Sequence, residues 1–560
     1  MNLETAPGPD DAFNTADWVT RRAGEAPFRR AIVTPGARGK DGRRTYEQVT
    51  FAQLERMIDR RAHALTRLGV QRGERVVLLV PFGVEFVALV YALFKVGAVL
   101  VLIDPGMGAR AMVRCLEQVS PAGLVAVPKA HAALALLGRG LLRGLRHRVR
   151  VGRGLWPGGA SLERALAGTP DAPFPCVPTR AGDEAAVLFT SGSTGPAKGV
   201  VYEHGVFDAQ VRHLSRVYGI APGEVDLPAL PAFALFSVAL GCTVVLPDMD
   251  FARPSRLDPA RFVEAIQDHG VTYAFGSPAV WGPVADHCVA RSIRLSSLRR
   301  VFMAGAPVPP RLHEALLARV LSAGADTHTP YGATEALPVA TISGRELAAT
   351  FGEARAGVGT CVGRPVPGVD VRVIRITDEP IAAWSDDLLV APGEVGEVVV
   401  RGDVVTRRYD ALPEATARAK IPDGERVWHR MGDVGFLDPD GRLWFCGRKG
   451  HRVEAEGGRL LSALEAVFDE HPRVRRCALV GVGQPPAQRP VLVVEPLPGH
   501  FPRGRAAREA FTRELLVLGG ANPRTASIKD VLFRRALPVD VRHNAKIRRE
   551  VLAAWAASRV

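Results

Sequence analysis

The chain has 560 residues, is 47% hydrophobic and 23% charged, and carries a formal net charge of +14. Its length predicts at least two hydrophobic cores, and no apolar run approaches the roughly 20 residues that a membrane-spanning helix needs. Because no nucleic-acid-binding motif accompanies the basic charge, we expect a solvated basic surface and no nucleic-acid site. The polar N-terminus is unlike a signal peptide, and the cysteines lack metal-binding spacing, so we expect a cytoplasmic protein with reduced thiols.

Short apolar runs alternate with helical patterns in the first part of the chain. Residues 75–80 and 99–104 are typical of buried strands, and residues 83–98 between them are typical of a buried helix. Strand, helix and strand in this order predict a parallel α/β unit. Similar apolar runs recur at 242–247, 271–276 and 298–305.

The pattern changes from about residue 361 to short strands separated by turns, which predicts a smaller β-rich subdomain. A glycine-bearing break follows at 447–450, and the roughly 110 residues after it are enough for a small separate domain. We therefore predict an α/β fold with a large N-terminal domain at 1–447 and a small C-terminal domain at 448–560.

One stretch is unusually basic. No acidic residue occurs between Gln118 and Leu162, and six arginines surround a group of leucines. The arginines are Arg139, Arg143, Arg146, Arg148, Arg150 and Arg153. Residues 139–153 are therefore predicted either to contact a membrane or an acidic partner, or to be a solvated segment with no such role, which we favour.

The strongest motif follows an apolar strand pattern at 185–189. The loop after it combines hydroxyls, glycines and a lysine, namely Thr190, Ser191, Gly192, Ser193, Thr194, Gly195 and Lys198. Glycines let backbone N–H groups turn toward one point, while hydroxyls and the lysine add donors and positive charge. This pattern predicts a phosphate-binding loop, although its spacing differs from that of Walker A. A flexible hydroxyl-rich surface loop is the alternative, which the order of the residues disfavours.

This loop resembles the phosphate loop of the adenylate-forming superfamily, which includes acyl-CoA synthetases, luciferases and nonribosomal adenylation domains. The resemblance implies an enzyme that uses ATP to convert a carboxylic acid into an acyl-AMP. It also implies two parallel-type αβ sheets beside the β-rich subdomain, and a mobile α+β C-terminal domain.

Further motifs of the superfamily follow in the expected order. The segment Tyr331-Gly332-Ala333-Thr334-Glu335 is similar to its adenine and magnesium motif. The resemblance implies that the Tyr331 ring stacks on adenine, that Thr334 contacts the α-phosphate, and that Glu335 binds Mg²⁺, a hard cation that prefers carboxylate oxygens. The segment Gly305-Ala306-Pro307 is similar to the stretch that lines the adenine pocket in the superfamily.

Three later residues complete this set. Asp433 resembles the aspartate that accepts both ribose hydroxyls, and Arg448 resembles the arginine near the ribose at the domain junction. Lys546 resembles the lysine that reaches the carboxylate and the α-phosphate, where its charge stabilises the transition state of adenylation. His204, just after the phosphate loop, is predicted either to contact a hydroxyl or phosphate or to be a structural histidine. The candidate catalytic residues are thus Lys546, Glu335, Thr190 and His204.

Two segments depart from the superfamily pattern. Glu454 and Glu456 stand in the loop that usually carries a lysine for thiol transfer, Gly450 stands at the hinge, and Ala234 replaces a common histidine. Glycine permits rotation at a hinge, but acidic side chains that face anionic CoA would be unfavourable. These departures resemble the β-lactone synthetases of olefin biosynthesis, a branch of the superfamily.

This narrower resemblance implies adenylation of a long-chain β-hydroxy acid (a 3-hydroxy-2-alkyl acid), whose own hydroxyl then displaces AMP and closes a β-lactone. An intramolecular nucleophile needs no CoA site. The resemblance also implies assembly with a short-chain reductase and an α/β-hydrolase of the same pathway. Two alternatives stay open, a long-chain fatty acyl-CoA ligase and a catalytically inactive acyl-nucleotide-binding scaffold.

Overall fold

The computed structural model describes residues 8, 11–137, 139–154, 158–190, 197–539 and 547–560. The helices are α1 (Asp17–Glu25), α2 (Phe51–Arg67), α3 (Val84–Val96), α4 (Ala109–Val119), α5 (Pro128–Leu137), α6 (Arg139–Gly144), α7 (Leu162–Ala167), α8 (His204–Tyr218), α9 (Pro231–Leu240), α10 (Pro259–His269), α11 (Pro278–Ala290), α12 (Pro310–Ala315), α13 (Gly344–Ala348), α14 (Phe351–Arg355), α15 (Pro413–Ala419), α16 (Glu465–Asp469), α17 (Arg505–Gly520) and α18 (Arg549–Ala557).

The strands are β1 (Arg30–Arg38), β2 (Arg44–Thr50), β3 (Arg75–Leu79), β4 (Val99–Ile103), β5 (Gly123–Ala126), β6 (His147–Arg150), β7 (Ala160–Ser161), β8 (Glu184–Thr190), β9 (Lys198–Glu203), β10 (Val225–Pro228), β11 (Thr243–Val245), β12 (Tyr273–Gly276), β13 (Arg300–Met303), β14 (Asp326–Ala333), β15 (Ala336–Ser343), β16 (Thr360–Pro365), β17 (Val369–Ile374), β18 (Gly396–Gly402), β19 (Lys420–Asp423), β20 (Arg426–Leu437), β21 (Leu443–Arg448), β22 (Val453–Ala455), β23 (Gly458–Leu460), β24 (Val474–Val482), β25 (Arg489–Pro496) and β26 (Asp530–Phe533).

The first large sheet has the strand order β7-β6-β5-β3-β4-β8-β9. All its pairings are parallel except that of β8 with β9. The predicted strand–helix–strand unit is present as β3, α3 and β4. Helix α3 is buried from Phe86 to Val96 because nearly all its residues are apolar, and Gly97 ends it with a φ of 73°.

The second large sheet joins a parallel half to an antiparallel half. Strands β11, β10, β12, β13 and β14 pair in parallel with their neighbours, and β14, β15 and β16 then continue the sheet with antiparallel pairings. The predicted α/β fold with two parallel-type sheets is confirmed. The β-rich part after residue 361 is an extension of the second sheet, joined to it through β16.

The residues after β21 form their own small sheet, β24-β25-β26, and a hairpin of β22 and β23. Two hydrophobic clusters here consist only of residues from Val453 onward, as expected for a unit with a separate core. Arg452 and Asp378 form an ion pair between this unit and the β-rich part, with Nη2 2.5 Å from Oδ2. The division at residues 447 and 448, and the mobility of the C-terminal unit, remain predictions.

None of the helices that the structure describes combines the length and the apolar character of a membrane-crossing segment.

Candidate active site

A buried carboxylate lies where β20 meets β14 and β21. The Tyr331 hydroxyl donates a hydrogen bond to Oδ2 of Asp433 at 2.6 Å, and Nη1 of Arg448 lies 2.9 Å from Oδ1. Burial raises the pKa of the Asp433 carboxyl, and Arg448 and the Tyr331 hydroxyl oppose this shift. Burial and the nearby carboxylate raise the pKa of Tyr331 well above its usual value, so its hydroxyl stays a donor. The structure thus brings Tyr331 into contact with Asp433, which lies 102 residues later in the sequence and pairs with Arg448 across the β20–β21 hairpin.

The backbone of β20 is irregular directly beside Asp433. Two extra residues interrupt β20 here, since Glu397 and Val399 are two residues apart in β18 while their partners Val434 and Arg430 are four residues apart. Within this irregularity Gly432 has a φ of 67°, a conformation that favours glycine. Irregularities of this kind redirect side chains and are common beside active sites. The Met-Gly-Asp sequence therefore places a glycine-dependent irregularity of β20 directly before Asp433.

A second group surrounds Glu335, in the turn between β14 and β15. The Tyr409 hydroxyl donates to Oε1 of Glu335 at 2.7 Å, and Nζ of Lys198 lies 4.9 Å from the centre of the Tyr409 ring. The Tyr202 hydroxyl donates to the carbonyl of Thr334 at 2.5 Å. Strand β9, which carries Lys198 and Tyr202, is thereby joined to the turn that carries Thr334 and Glu335.

Gly332 makes this tight turn possible. A Cβ atom at this position would lie 2.5 Å from the carbonyl oxygen of Ala336, closer than any side chain tolerates. Ala333 pairs with Ala336 across the turn, after a shift in the register that separates it from Tyr331. The glycine is therefore required for the geometry that places Glu335 beside Tyr409.

The predicted adenine stretch follows β13, the parallel neighbour of β14. Gly305, with a φ of 89°, Ala306 and Pro307 leave the sheet at the carboxyl end of β13. Tyr331 lies toward the carboxyl end of β14, so both segments are at the same edge. In α/β sheets, ligands bind outside the carboxyl ends of parallel strands.

Several predicted residues lie partly or wholly outside the described residues. Thr190 is the last residue of β8, but its side chain is not described. Residues 191–196, which include Ser191, Gly192, Ser193, Thr194 and Gly195, and residue Lys546 lie outside the described ranges. Their predicted contacts with phosphate and carboxylate remain predictions.

His204 is not brought together with the other predicted residues. Its ring is fully buried, its Nδ1 lies 2.8 Å from the Thr15 hydroxyl, and the Phe94 ring packs against it edge-on with centroids 5.9 Å apart. Burial lowers the pKa of His204 to about 4, so the ring is neutral at neutral pH. This environment favours the structural alternative, and the catalytic role of His204 stays a prediction.

Three residues near the Glu335 turn were not predicted from the sequence, namely Tyr409, Tyr202 and the buried Lys420. Tyr409 and Lys420 occur in the polar segment 406–425, where neither hydrophobic periodicity nor glycine spacing marks them. Their positions depend on the bridge between Val200 and Tyr409, a pairing that links residues far apart in the chain.

The arrangement suits a nucleotide and one divalent cation. Among the described residues, no group of three or more His, Cys, Asp and Glu side chains could hold a metal ion by itself. A single carboxylate is nevertheless the usual protein contribution to Mg²⁺ bound mainly through phosphates. Glu335 fits that role because its Oε1 is already oriented by Tyr409.

Comparison with known proteins agrees with this geometry. The model of the AMP-binding enzyme family matches residues 19–410. Olefin β-lactone synthetases from Xanthomonas campestris pv. campestris and Stenotrophomonas maltophilia are each 46% identical to the chain, over 97% of this chain and 97% and 98% of their own lengths. An amide bond synthetase from Marinactinospora thermotolerans superposes with a TM-score of 0.75 and 27% identity, over 97% of this chain and 99% of that one. The ordered motifs and these alignments agree, and the chain belongs to the AMP-binding family of adenylate-forming enzymes, which use ATP.

Proposed function

We propose that this enzyme adenylates a long-chain β-hydroxy carboxylic acid with ATP and closes it to a β-lactone, with release of pyrophosphate and AMP. The observation that carries this proposal is the 46% identity, along 97% of the chain, to proteins named olefin β-lactone synthetase. The site geometry supports the first half of the reaction, since it gathers Lys198, Glu335 and Asp433 from separate elements at the edge of two sheets.

In the first step the substrate carboxylate attacks the α-phosphorus of ATP and pyrophosphate leaves. Asp433, held by Tyr331 and Arg448, would accept hydrogen bonds from the ribose hydroxyls and so fix the nucleotide. Lys198 would contact the phosphates. Glu335 would hold Mg²⁺, which when bound neutralises phosphate charge. Lys546 would stabilise the charge that develops at the α-phosphate.

In the second step the β-hydroxyl attacks the acyl carbon, its proton is lost, and AMP leaves with the electrons of the mixed-anhydride bond. The acyl-AMP offers a good leaving group, and the nucleophile is part of the same molecule, so no second substrate has to bind.

The loop at Glu454 gives only partial support to a route without CoA. The Glu454 carboxylate lies 2.8 Å from Nε of Arg452 and 2.9 Å from Nε of Arg459. Because two arginines surround it, its repulsion of an anionic CoA is weaker than the sequence suggests. What supports the CoA-free route at this loop is the absence of the lysine that thiol-transferring relatives carry.

The proposal is tested by the mass of the product. The full-length protein is incubated with ATP, Mg²⁺ and a long-chain 3-hydroxy-2-alkyl acid, with and without CoA. We expect AMP, pyrophosphate and a product 18 mass units lighter than the acid, the mass of one water, in both reactions. A CoA thioester formed faster than any CoA-free product would favour the fatty acyl-CoA ligase instead. Only unchanged acid and no pyrophosphate would favour the inactive scaffold.

The partner proposals depend on resemblance and surface chemistry. We infer assembly with a short-chain reductase and an α/β-hydrolase from the resemblance to olefin biosynthesis, and co-elution of the three purified proteins would test it. Residues 139–153 are a candidate membrane contact, because Leu136 and Leu137 just before them are 75% and 53% exposed and Arg143 and Arg146 are exposed.

If this surface binds membranes, the protein should sediment with vesicles that contain phosphatidylglycerol and less with vesicles of phosphatidylcholine alone. Replacement of both leucines by serine should reduce sedimentation several-fold. Phe28→Ser, at a residue that is 88% exposed elsewhere, is the control and should have no effect. Equal sedimentation of the leucine variant and the parent would contradict the membrane contact and leave a solvated segment.

A further inference from the structure

Lys420 is a buried lysine behind the Glu335 turn. It begins β19, pairs with His429 of β20, and is only 4% exposed. Its Nζ donates to the carbonyl of Thr406 and lies 3.3 Å from the Thr406 hydroxyl. In the part of the chain that the structure describes, no carboxylate lies within 4.0 Å of this ammonium. Among the described residues, the Lys420 ammonium therefore hydrogen-bonds to Thr406, through both its carbonyl and its hydroxyl.

Burial of an ammonium group without an ion-pair partner costs free energy, which marks Lys420 as a candidate for a specific role. Burial lowers the pKa of Lys420 to about 7, and the nearby carboxylates of Glu335 and Glu203 oppose this shift. The lysine is thus close enough to Glu335 for the two charges to interact.

Thr406 connects this lysine to Glu335. The backbone N–H of Thr406 donates to the Glu335 carbonyl at 2.9 Å, and its hydroxyl lies 3.1 Å from the same oxygen. A hydroxyl can donate one hydrogen bond and accept others, so Thr406 can accept from Lys420 while it donates to Glu335. A β-bridge between Ala336 and Val405, the neighbours of Glu335 and Thr406, also joins these two backbone segments. Lys420, Thr406 and Glu335 therefore form a continuous chain of hydrogen bonds.

We propose that Lys420 is a positioning residue for adenylation, which acts through Thr406 to hold the backbone of Glu335 and so to place its carboxylate for Mg²⁺. The inference rests on the proposed metal role of Glu335. Lys420 does not reach the substrate itself. Its ammonium holds the Thr406 carbonyl, Thr406 holds the Glu335 carbonyl, and Tyr409 orients the Glu335 carboxylate.

The readout is the dependence of pyrophosphate release on Mg²⁺ concentration, at saturating ATP and acid. Lys420→Met keeps the length of the side chain and removes its donors, so we expect the half-saturating Mg²⁺ concentration to rise by about five- to tenfold. Lys420→Arg keeps the charge and the donors, so its half-saturating Mg²⁺ concentration should lie between those of the parent and Lys420→Met.

The matched control is Lys95→Met. Lys95 is equally buried but lies in α3, where it bonds Glu55 and Asp59. Its loss should lower the melting temperature without a change in Mg²⁺ dependence. That result would show that a loss of stability alone does not raise the half-saturating Mg²⁺ concentration.

Thr406→Val provides a second test that does not depend on the folding of the lysine variant. It removes the hydroxyl between Lys420 and Glu335, so it should raise the half-saturating Mg²⁺ concentration in the same direction. The double variant should have a half-saturating Mg²⁺ concentration close to that of Lys420→Met, because the effects of two residues that act through the same hydrogen-bond chain are not additive. The proposal is overturned if Lys420→Met, or Thr406→Val where the former does not fold, keeps the parent's Mg²⁺ dependence.

Glu335→Gln separates this outcome from failure of the proposed function. If Glu335→Gln itself leaves the Mg²⁺ dependence unchanged, the metal role of Glu335 is wrong. If Glu335→Gln shifts it and the Lys420 and Thr406 variants do not, only the positioning role of Lys420 is wrong.

Discussion

Replacement of Lys546 by alanine is expected to slow pyrophosphate release by about 10²–10³-fold or more, since removal of a single donor to a developing oxyanion has effects of that size. Lys546 itself is outside the described residues, so the prediction draws on the motif and on the residues around it. The bridge between Val539 and Ile547 joins the two ends of the segment that contains Lys546.

The described end of this segment lies beside residues that are predicted to bind the nucleotide. Nε2 of His451 lies 3.8 Å from Oε1 of Glu550 in the first turn of α18, and the charges of Arg549 and Arg448 both act on His451. Burial lowers the pKa of His451 to about 4, and these two arginines add to that shift. The start of α18 is therefore close to the segment that carries Arg448, the partner of Asp433, which is the residue predicted to bind the ribose.

The assay should isolate the adenylation step. Lys529→Ala, at an exposed lysine of the same C-terminal unit, is the control and should keep full activity. Both variants should melt at the parent's temperature. If synthetic acyl-AMP is supplied, Lys546→Ala should still form the lactone, because closure does not use the α-phosphate lysine. Normal pyrophosphate release by Lys546→Ala would refute the role assigned to this residue.

The fold was predictable because its signals are local. The runs at 75–80 and 99–104 became β3 and β4, and the run at 83–98 became α3, since long apolar segments with flanking glycines have few alternatives. The continuity of the β-rich part with the second sheet was missed. It depends on the pairing of β15 with β16, and long-range pairing leaves no periodic signal in the sequence.

The candidate site was predictable only in part, for a related reason. Asp433 and Glu335 were found because they stand in ordered motifs, and the structure gives each a specific partner. Tyr409 and Lys420 were missed because their roles exist only after β9, β14 and β19 come together. The two alternatives for His204 could not be separated from the sequence, because closeness to the phosphate loop does not reveal that its ring is buried.

Asp433 is expected to control recognition of the ribose, and its replacement by alanine should lower kcat/KM for ATP by about 10²–10³-fold. The estimate corresponds to the loss of about two hydrogen bonds to a charged acceptor. Because Asp433 is buried between Tyr331 and Arg448, the alanine variant also leaves both partners unpaired. Asp433→Asn, which keeps the size of the side chain, is therefore measured beside it as a control for the loss of packing.

A substrate series distinguishes a lost ribose contact from a general disturbance. The parent should prefer ATP strongly over 2′-deoxy-ATP and 3′-deoxy-ATP, since each analogue lacks a hydroxyl that Asp433 would accept. Asp433→Ala should lose most of this preference, whereas Tyr331→Phe, which removes only the bond that orients the carboxylate, should keep most of it. If Asp433→Ala discriminates against the deoxynucleotides as strongly as the parent, the carboxylate does not bind the ribose, and its buried contacts with Tyr331 and Arg448 serve the stability of the β14–β20–β21 region instead.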